Sequence, residues 1–275
     1  MSDILAGILD VKRREVVAAR ARLPLEHLQE KANHLPKCRN FYRTMTKSHP
    51  GRINVIAEIK RASPSAGLIR PDFDPVQLAE IYKNAGADAI SVLTDEQFFQ
   101  GRLEFLTQVK QAVDLPVLGK DFIIDPYQIY QARLAGADAV LLIGEALDAA
   151  TLMDLMILAT SLTLTVLLEV HELDTLLKIR SMIGFPLPHY SLLGINNRNL
   201  KTMEVDPAHS LRLGEFFDNK TELISESGIR QRRDVQRLID AQFNGVLIGE
   251  TLMRSRDINA KFTELFDPDR ERKNE

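Results

Sequence analysis

Apolar residues along this chain alternate between two periods. Eight short, nearly continuous apolar runs, Asn54–Lys60, Asp88–Thr94, Pro116–Lys120, Asp138–Ile143, Thr163–Glu169, Ser191–Asn196, Thr221–Glu226 and Asn244–Gly249, predict strands. Runs such as Val140–Ile143 suit strands covered on both sides. Helical spacing occupies the intervals Pro75–Asn84, Leu103–Ala112, Pro126–Leu134, Ala149–Thr160, Leu173–Ile183, Pro207–Leu213 and Ile229–Ala241. The sequence Asn84-Ala-Gly-Ala-Asp-Ala-Ile-Ser-Val-Leu93 is echoed by Leu134-Ala-Gly-Ala-Asp-Ala-Val-Leu-Leu-Ile143 and, more weakly, by Ala241–Gly249. In each copy a helix ends near Gly or Asn and a strand follows at once. Strand–helix alternation with right-handed crossovers leaves a barrel or an open doubly wound sheet. Eight units of similar size favour an α/β fold of the (β/α)8 TIM-barrel type. The lack of Gly-x-Gly-x-x-Gly after the first strand counts against a dinucleotide fold. Ahead of the barrel, helical spacing over residues 3–22 and a short helix over 25–33 are followed by a connection at 35–51. Residues 1–50 are therefore expected to be an N-terminal helical extension packed on the barrel, within one domain spanning 1–275. The charged tail Asp267–Glu275 is expected to fray.

Composition narrows the functional classes. A chain of 275 residues with 45% hydrophobic residues suits one barrel with a modest addition. The net charge of −3 favours neither nucleic acid nor an anionic membrane as a partner, so any anionic substrate must be held by local cations. Cys38 stands alone, no segment reads as a signal peptide, and no apolar run is long enough to span a bilayer. A cytoplasmic protein, monomeric or weakly homo-oligomeric, is expected. His27, His34, His49, His171, His189 and His209 are scattered, none pairs at ligand spacing, and no metal is expected.

Several of the predicted strands end on polar residues, and a parallel barrel brings its strands' C-terminal ends to one mouth. On the first strand, alternation puts Asn54, Ile56, Glu58 and Lys60 inward and Val55, Ala57 and Ile59 outward. Glu58 and Lys60 then form either a pair beside a substrate or an ion pair that closes the barrel. On the fifth strand Thr163, Thr165, Leu167 and Glu169 point inward. Burial raises a carboxylate's pKa unless a cation is close, which suits Glu169 to general acid/base work, with Lys60 and Lys120 as candidate counter-ions. Lys120 fits a general acid, a fixed positive charge, or a Schiff-base nucleophile if neighbouring cations make it lose its proton easily; a lysine snorkelling at the rim is the plainer reading. Asn196 is inward by parity, and Arg198 follows it where it can bind a carboxylate, though a turn capped by asparagines fits equally. Ser225-Glu-Ser-Gly228 and Gly249-Glu250 occupy the loops after strands seven and eight, where barrels of this kind often hold phosphate; Gly228 and Gly249 let backbone N–H groups approach an anion and Ser227 adds a donor. Met153 and Met156 read as core, and Arg230, Arg232 and Arg233 as a solvated helix start.

In order, the segments Ala57-Glu-Ile-Lys-Arg-Ala-Ser-Pro-Ser65, Ser91-Val-Leu-Thr-Asp95, Gly119-Lys-Asp-Phe-Ile123, Leu168-Glu-Val-His171, Gly194-Ile-Asn-Asn-Arg198, Ser225-Glu-Ser-Gly228 and Gly249-Glu-Thr-Leu-Met-Arg254 closely resemble the indole-3-glycerol phosphate synthase family. The resemblance covers nearly the whole chain. It implies a carboxy-lyase of tryptophan biosynthesis that converts 1-(2-carboxyphenylamino)-1-deoxyribulose 5-phosphate into indole-3-glycerol phosphate, carbon dioxide and water, without metal or organic cofactor. It implies that Lys120 is the acid for ring closure and that Glu169 serves the later proton transfers. Glu58 and Lys60 match residues that organise charge and hold substrate anions, and Ser63 matches a substrate-contacting serine. Asn196, Arg198, Glu226 and Ser227 match residues of the same mouth, and Gly228, Gly249 and Glu250 its phosphate-facing turns. Glu58, Lys60, Lys120, Glu169, Asn196 and Glu226 are thus the catalytic candidates. The family's N-terminal helices border the pocket, so residues near Phe41 are expected to reach the substrate. Gly119, Arg102 and Glu250 depart from residues common among relatives. A single activity is expected, because 275 residues leave no room for a second barrel.

Overall fold

A computed structural model describes residues 4–183, 189–199 and 202–267. Eight parallel strands, β1 (Asn54–Ile59), β2 (Ala89–Leu93), β3 (Val117–Lys120), β4 (Ala139–Ile143), β5 (Thr165–Val170), β6 (Ser191–Asn196), β7 (Leu223–Glu226) and β8 (Gly245–Ile248), close into a barrel in chain order. Closure is made by β1 against β8, with Asn54 opposite Gly245 and Ala57 opposite Ile248. The expected TIM barrel is present. The helices are α1 (Ile4–Arg22), α2 (Leu25–Asn33), α3 (Phe41–Met45), α4 (Pro75–Ala85), α5 (Leu103–Ala112), α6 (Pro126–Leu134), α7 (Ala149–Ser161), α8 (Leu173–Ile183), α9 (His209–Gly214), α10 (Arg232–Asp240), α11 (Glu250–Met253) and α12 (Ile258–Phe266). The charged tail expected to fray lies, beyond Asp267, outside the described residues.

The repeated Ala-Gly-Ala-Asp segment is one device used twice. Gly86 (φ 105°) and Gly136 (φ 100°) end α4 and α6 in the left-handed region. Two residues later an aspartate reaches the strand before the helix: Asp88 accepts from the Val55 N–H and Asp138 from the Val117 N–H, each at 2.9 Å. In the weaker copy Gln242 (φ 63°) takes the glycine's place, and the Asn244 backbone carbonyl accepts from the Asn54 N–H at 2.9 Å. Each unit thus fastens the base of one strand to the next.

The core has two layers. Val55, Ala57 and Ile59 pack outward among the helices with Val166, Leu168 and Val170, while Ile56, Ala89, Leu118, Leu141, Leu167, Leu192, Ile224 and Leu247 fill the interior. The alternation expected for the first and fifth strands holds along this stretch. Thr163 differs: its φ of 64° takes it out of the strand, and its hydroxyl accepts from the Cys38 N–H at 3.1 Å instead.

The extension reaches from mouth to base. At the mouth, α1 brings Lys12 to the carboxylates of Asp95 and Asp121, both at 2.8 Å, just past the ends of β2 and β3. Next, α2 packs along α6. The stretch 35–51, expected to be a bare connection, contains α3 and stoppers the opposite end. There Tyr42 donates from its backbone to Thr165 Oγ1 at 3.2 Å and from its hydroxyl to Glu222 at 2.8 Å. Phe41 and Met45, both fully buried, join the interior cluster from that base. This overturns the expectation that Phe41 borders the substrate: α3 lies at the strands' N-terminal ends, and Phe41 does not line the mouth cavity. Two further helices, α11 and α12, follow β8 and were not expected; α12 packs between α4 and α10 as the barrel's eighth outer helix.

Candidate active site

The mouth of the barrel holds a cavity of about 440 Å³. Glu58, Lys60, Ser63, Lys120, Glu169, Asn196, Arg198, Glu226, Ser227, Gly228, Gly249 and Glu250 all line it. Strand alternation is the reason: each strand that ends inward there delivers one polar side chain at nearly the same height. Two glycines make room. A β-carbon on Gly194 would collide with Glu226, and one on Gly249 with Glu58.

At its floor, Lys120 Nζ lies 2.8 Å from Glu169 Oε2 and 3.5 Å from Glu226 Oε2. The two carboxylates are 2% and 1% exposed, so charge on them must be compensated. Burial pushes Glu169 up, but Lys120 and His171 outweigh it and hold its carboxyl well below the usual range. Asn196 Nδ2 adds a hydrogen bond to Glu169 Oε1 at 3.2 Å. Glu226 goes the other way: burial and the neighbouring charge of Glu169 push it well above the usual range. The carboxyl with the raised pKa is therefore Glu226; for Glu169 the expected exception applies, because one of its two candidate cations, Lys120, is close. Lys120 is pulled down by burial, yet the charges of Glu169, Glu226 and Glu58 hold it above the ordinary lysine value. The cationic neighbours that a Schiff-base lysine needs are replaced here by carboxylates. Lys120 is a held ammonium, and Glu169's counter-ion is Lys120.

Lys60, just past β1, is paired instead with Glu58 of that strand. Above them Arg198 spans the mouth. Its guanidinium donates to Ser65 Oγ at 3.3 Å and to the Met203 carbonyl at 3.2 Å, and meets Glu250 Oε2 at 3.4 Å. The other Glu250 oxygen accepts from Arg254 Nε at 3.0 Å. Burial pushes Glu250 up, but Arg254, Arg198 and Lys60 bring it below its usual value, so its side chain is an anion held among cations. Ser63 lies in a small ribbon formed by Ala62–Ser63 and Gly67–Leu68; its Oγ accepts from the Ala66 N–H at 3.2 Å. Ser227 (φ 65°) and Gly228 (φ 82°) are both left-handed; the strain falls on the serine, at a rim position of the kind found at ligand-binding turns, and the glycine adopts it freely.

The cavity also contains groups that were not anticipated. Phe99 and Phe122 face it, with ring centroids 5.9 Å apart. Arg230, read as solvated, stands on the rim, with Arg254 and Lys261 beside it. In all, six basic and five acidic side chains line the cavity. Arg232, also read as solvated, is half-buried and donates to the Leu265 carbonyl at 3.0 Å. His171 was passed over as one of six scattered histidines. It lies two residues beyond Glu169, on the same inward parity, which was the available signal. Two of the departures from common relatives fall outside the cavity: Gly119 faces Leu106, Ala132 and Ala137, and Arg102 starts α5 without a side-chain cap. Among the described residues no three His, Cys, Asp or Glu side chains are grouped as metal ligands, and no helix is long and apolar enough to cross a membrane.

The family model described as "Indole-3-glycerol phosphate synthase" matches residues 5–265. An indole-3-glycerol phosphate synthase of Neisseria meningitidis serogroup B is 47% identical over 269 residues, covering 97% of this chain and all of that protein. One from Rhodopirellula baltica is 47% identical over 256 residues, covering 93% of this chain and 95% of that protein. Among solved structures, 3-hexulose-6-phosphate synthase superposes with a TM-score of 0.60 at 18% identity, covering 78% of this chain and 98% of the other, a likeness of fold.

Proposed function

From the premise that this chain belongs to the indole-3-glycerol phosphate synthase family, carboxy-lyases of tryptophan biosynthesis acting on a phosphorylated small molecule, we propose that Lys120, Glu169 and Glu226 divide the proton transfers of the reaction. The substrate is 1-(2-carboxyphenylamino)-1-deoxyribulose 5-phosphate, which carries a phosphate and an aromatic carboxylate. Its phosphate sits against the turns at Ser227–Gly228 and Gly249–Glu250, with Ser63 beside it. Glu250 takes part as the counter-ion that positions Arg198 and Arg254. The carboxylate is held by Arg198 and Lys60, with Glu58 fixing the Lys60 ammonium. Phe99 and Phe122 supply an apolar wall for the aromatic ring, which must be pressed against the keto carbon for the ring to close.

Lys120 gives its proton to the ketone oxygen as the aromatic carbon attacks. Carbon dioxide then leaves, its bonding electrons restoring the aromatic ring. Glu226, neutral until now, protonates the new hydroxyl, which departs as water. Glu169 takes a proton from the methylene carbon next to nitrogen, and the five-membered ring becomes aromatic. Glu169 returns that proton to Lys120 across their 2.8 Å contact. Glu226 is reprotonated from solvent, so one proton is consumed per turnover: the ketone oxygen leaves as water with two protons, and the substrate's methylene carbon supplies only one of them. Asn196 keeps Glu169 in place. The enzyme is cytoplasmic, monomeric or weakly associated, and one domain spans 1–275.

The observation that carries this reading is a single ammonium between two buried carboxylates of opposite protonation preference, opening into a cavity rich in cations. Indole fluorescence developing from the synthetic substrate, without added metal, is the test. Lys120→Met and Glu169→Gln should each lower kcat by about 10²–10⁴-fold with the circular dichroism of the fold unchanged. Wild-type rates in both variants would remove the assignment.

A further inference from the structure

Behind the cavity stands a second set of buried groups that the reaction described above does not use. Glu145 lies in the one-turn 3-10 segment Gly144–Ala146 that follows β4. Its Oε1 accepts from the backbone N–H groups of His171, at 2.8 Å, and Glu172, at 3.1 Å. Its Oε2 lies 3.0 Å from His171 Nδ1. The far side of the same imidazole, Nε2, lies 3.2 Å from Glu169 Oε1. His171 is 9% exposed, just beyond the end of β5. The ring is thus held edge-on between two carboxylates, and one of them is the group proposed to take the substrate's proton.

We propose that Glu145 and His171 form a positioning pair: Glu145 fixes the imidazole, and the imidazole fixes Glu169 so that Oε2 always faces Lys120. The inference rests on the reading of Glu169 as proton acceptor and adds to it the groups that orient that acceptor. Geometry argues for it. Glu169 Oε1 is engaged by Asn196 and His171 and Oε2 by Lys120, so rotation of the carboxylate breaks contacts on both oxygens. Glu145 cannot swing away without releasing two backbone donors. The other titratable and charged groups around the ring are Glu172 next to it, Lys120 and Glu226 across the barrel, and His209 on α9, whose Nε2 lies 2.8 Å from the His171 carbonyl. Burial pulls the imidazole down, but Glu145 and Glu169 together push it up to about 10. At neutral pH both ring nitrogens then carry protons: Nδ1 is hydrogen-bonded to Glu145, and Nε2 lies within ion-pair distance of Glu169 without being aligned as a hydrogen bond. Glu169 consequently faces two cations, which explains why its burial does not raise it.

The test combines spectroscopy of the unaltered enzyme with kinetics of three variants. In the wild-type enzyme, ¹⁵N shifts of His171 should show both ring nitrogens protonated from pH 6 to 9. In Glu145→Gln the titration should move down by at least one pH unit. Glu145→Gln and His171→Asn should lower kcat by about ten- to a hundredfold, the scale of a misplaced catalytic group, with KM within about twofold. In His171→Asn the acid limb of the kcat profile should move to higher pH, because Glu169 has lost a cation; a ring that only fills space would leave this limb in place. A neutral imidazole in the wild-type enzyme at pH 7, or wild-type kcat and pH limbs in both variants, would overturn the proposal. Glu169→Gln separates the two readings. If it is inactive while the other variants are normal, the positioning pair fails alone; if it too is fully active, the role of Glu169 fails as well.

Discussion

Glu169 and Glu226 are both glutamates at strand ends, both almost fully buried, and both within 3.5 Å of the same lysine. Their pKa displacements are opposite: Lys120 and His171 outweigh burial at Glu169, whereas at Glu226 burial and the charge of Glu169 outweigh Lys120. Period-two alternation is a local property, so the inward position of Glu169 was legible in the sequence. The partition of charge was not, because it depends on which residues of β3, β5 and β7 meet across the barrel. Two outcomes follow for single residues. Glu226→Gln keeps the shape of the neutral acid and removes its proton. It should lower kcat by about 10²–10⁴-fold with little change in substrate affinity, and remove the alkaline limb of the kcat profile. Because the folded-state pKa of Glu226 is raised, its ionisation opposes folding as pH rises, so the melting temperature of the variant should match wild type near pH 4 and gain on it progressively as pH rises above about 4.5. His171 is also raised, so its contribution to stability is complete below about pH 6.5 and lost as pH passes about 10. In His171→Asn, melting temperature should therefore fall less steeply between pH 8 and 10 than in wild type.

Elements were more legible than their ends. The eight strands and nine of the helices were recoverable because apolar period and turn chemistry agree: Asp74, Asp125 and Asp148 cap α4, α6 and α7, and Pro75 and Pro126 open two of them. The five-residue α3 escaped because a single helical turn has no period to detect, and its burial is created by the barrel base on which it sits. Residue spacing likewise placed α1 but could not say what it grips. Lys12 has a 4%-exposed side chain set between Asp95, with a fully buried one, and Asp121, the residue after Lys120. Burial pulls this lysine down, and the two aspartates more than restore it, above the ordinary value. Removing the cation strands a buried carboxylate, which costs roughly 3–5 kcal/mol. Chemical denaturation of Lys12→Met should show a loss of that order, and hydrogen exchange should place the new opening in α1 and in the turns after β2 and β3. Adding Asp95→Asn should recover part of the loss, since the stranded charge is then gone. Equal stability of Lys12→Met and wild type would make the ion cluster incidental to α1 docking.

At the scale of the whole molecule, the charge balance and the site point in opposite directions. The chain carries a net −3, yet the mouth cavity is lined by six basic side chains against five acidic ones, and one of those acids, Glu226, has its pKa raised toward the neutral form. The proposed substrate, with a phosphate and a carboxylate, would therefore meet a repelling surface at long range and an attracting funnel at short range. Low-dielectric walls strengthen the funnel's field, while salt weakens both contributions unequally. The screening length is about 10 Å at 0.1 M salt and about 3 Å at 1 M, so contacts within the cavity persist after the wider surface has been screened. The balance can be read from kinetics. If the funnel dominates capture, KM for the intact substrate should rise several-fold as potassium chloride goes from about 0.05 to 0.5 M, while kcat stays constant, because the buried Lys120–Glu169 pair is little screened. Arg254→Gln should flatten that dependence, since Arg254 is a rim cation whose carboxylate partner, Glu250, lies on its own helical turn. A KM that falls with salt would mean that the net negative surface controls capture, and that the cations of the cavity act only after the substrate has arrived.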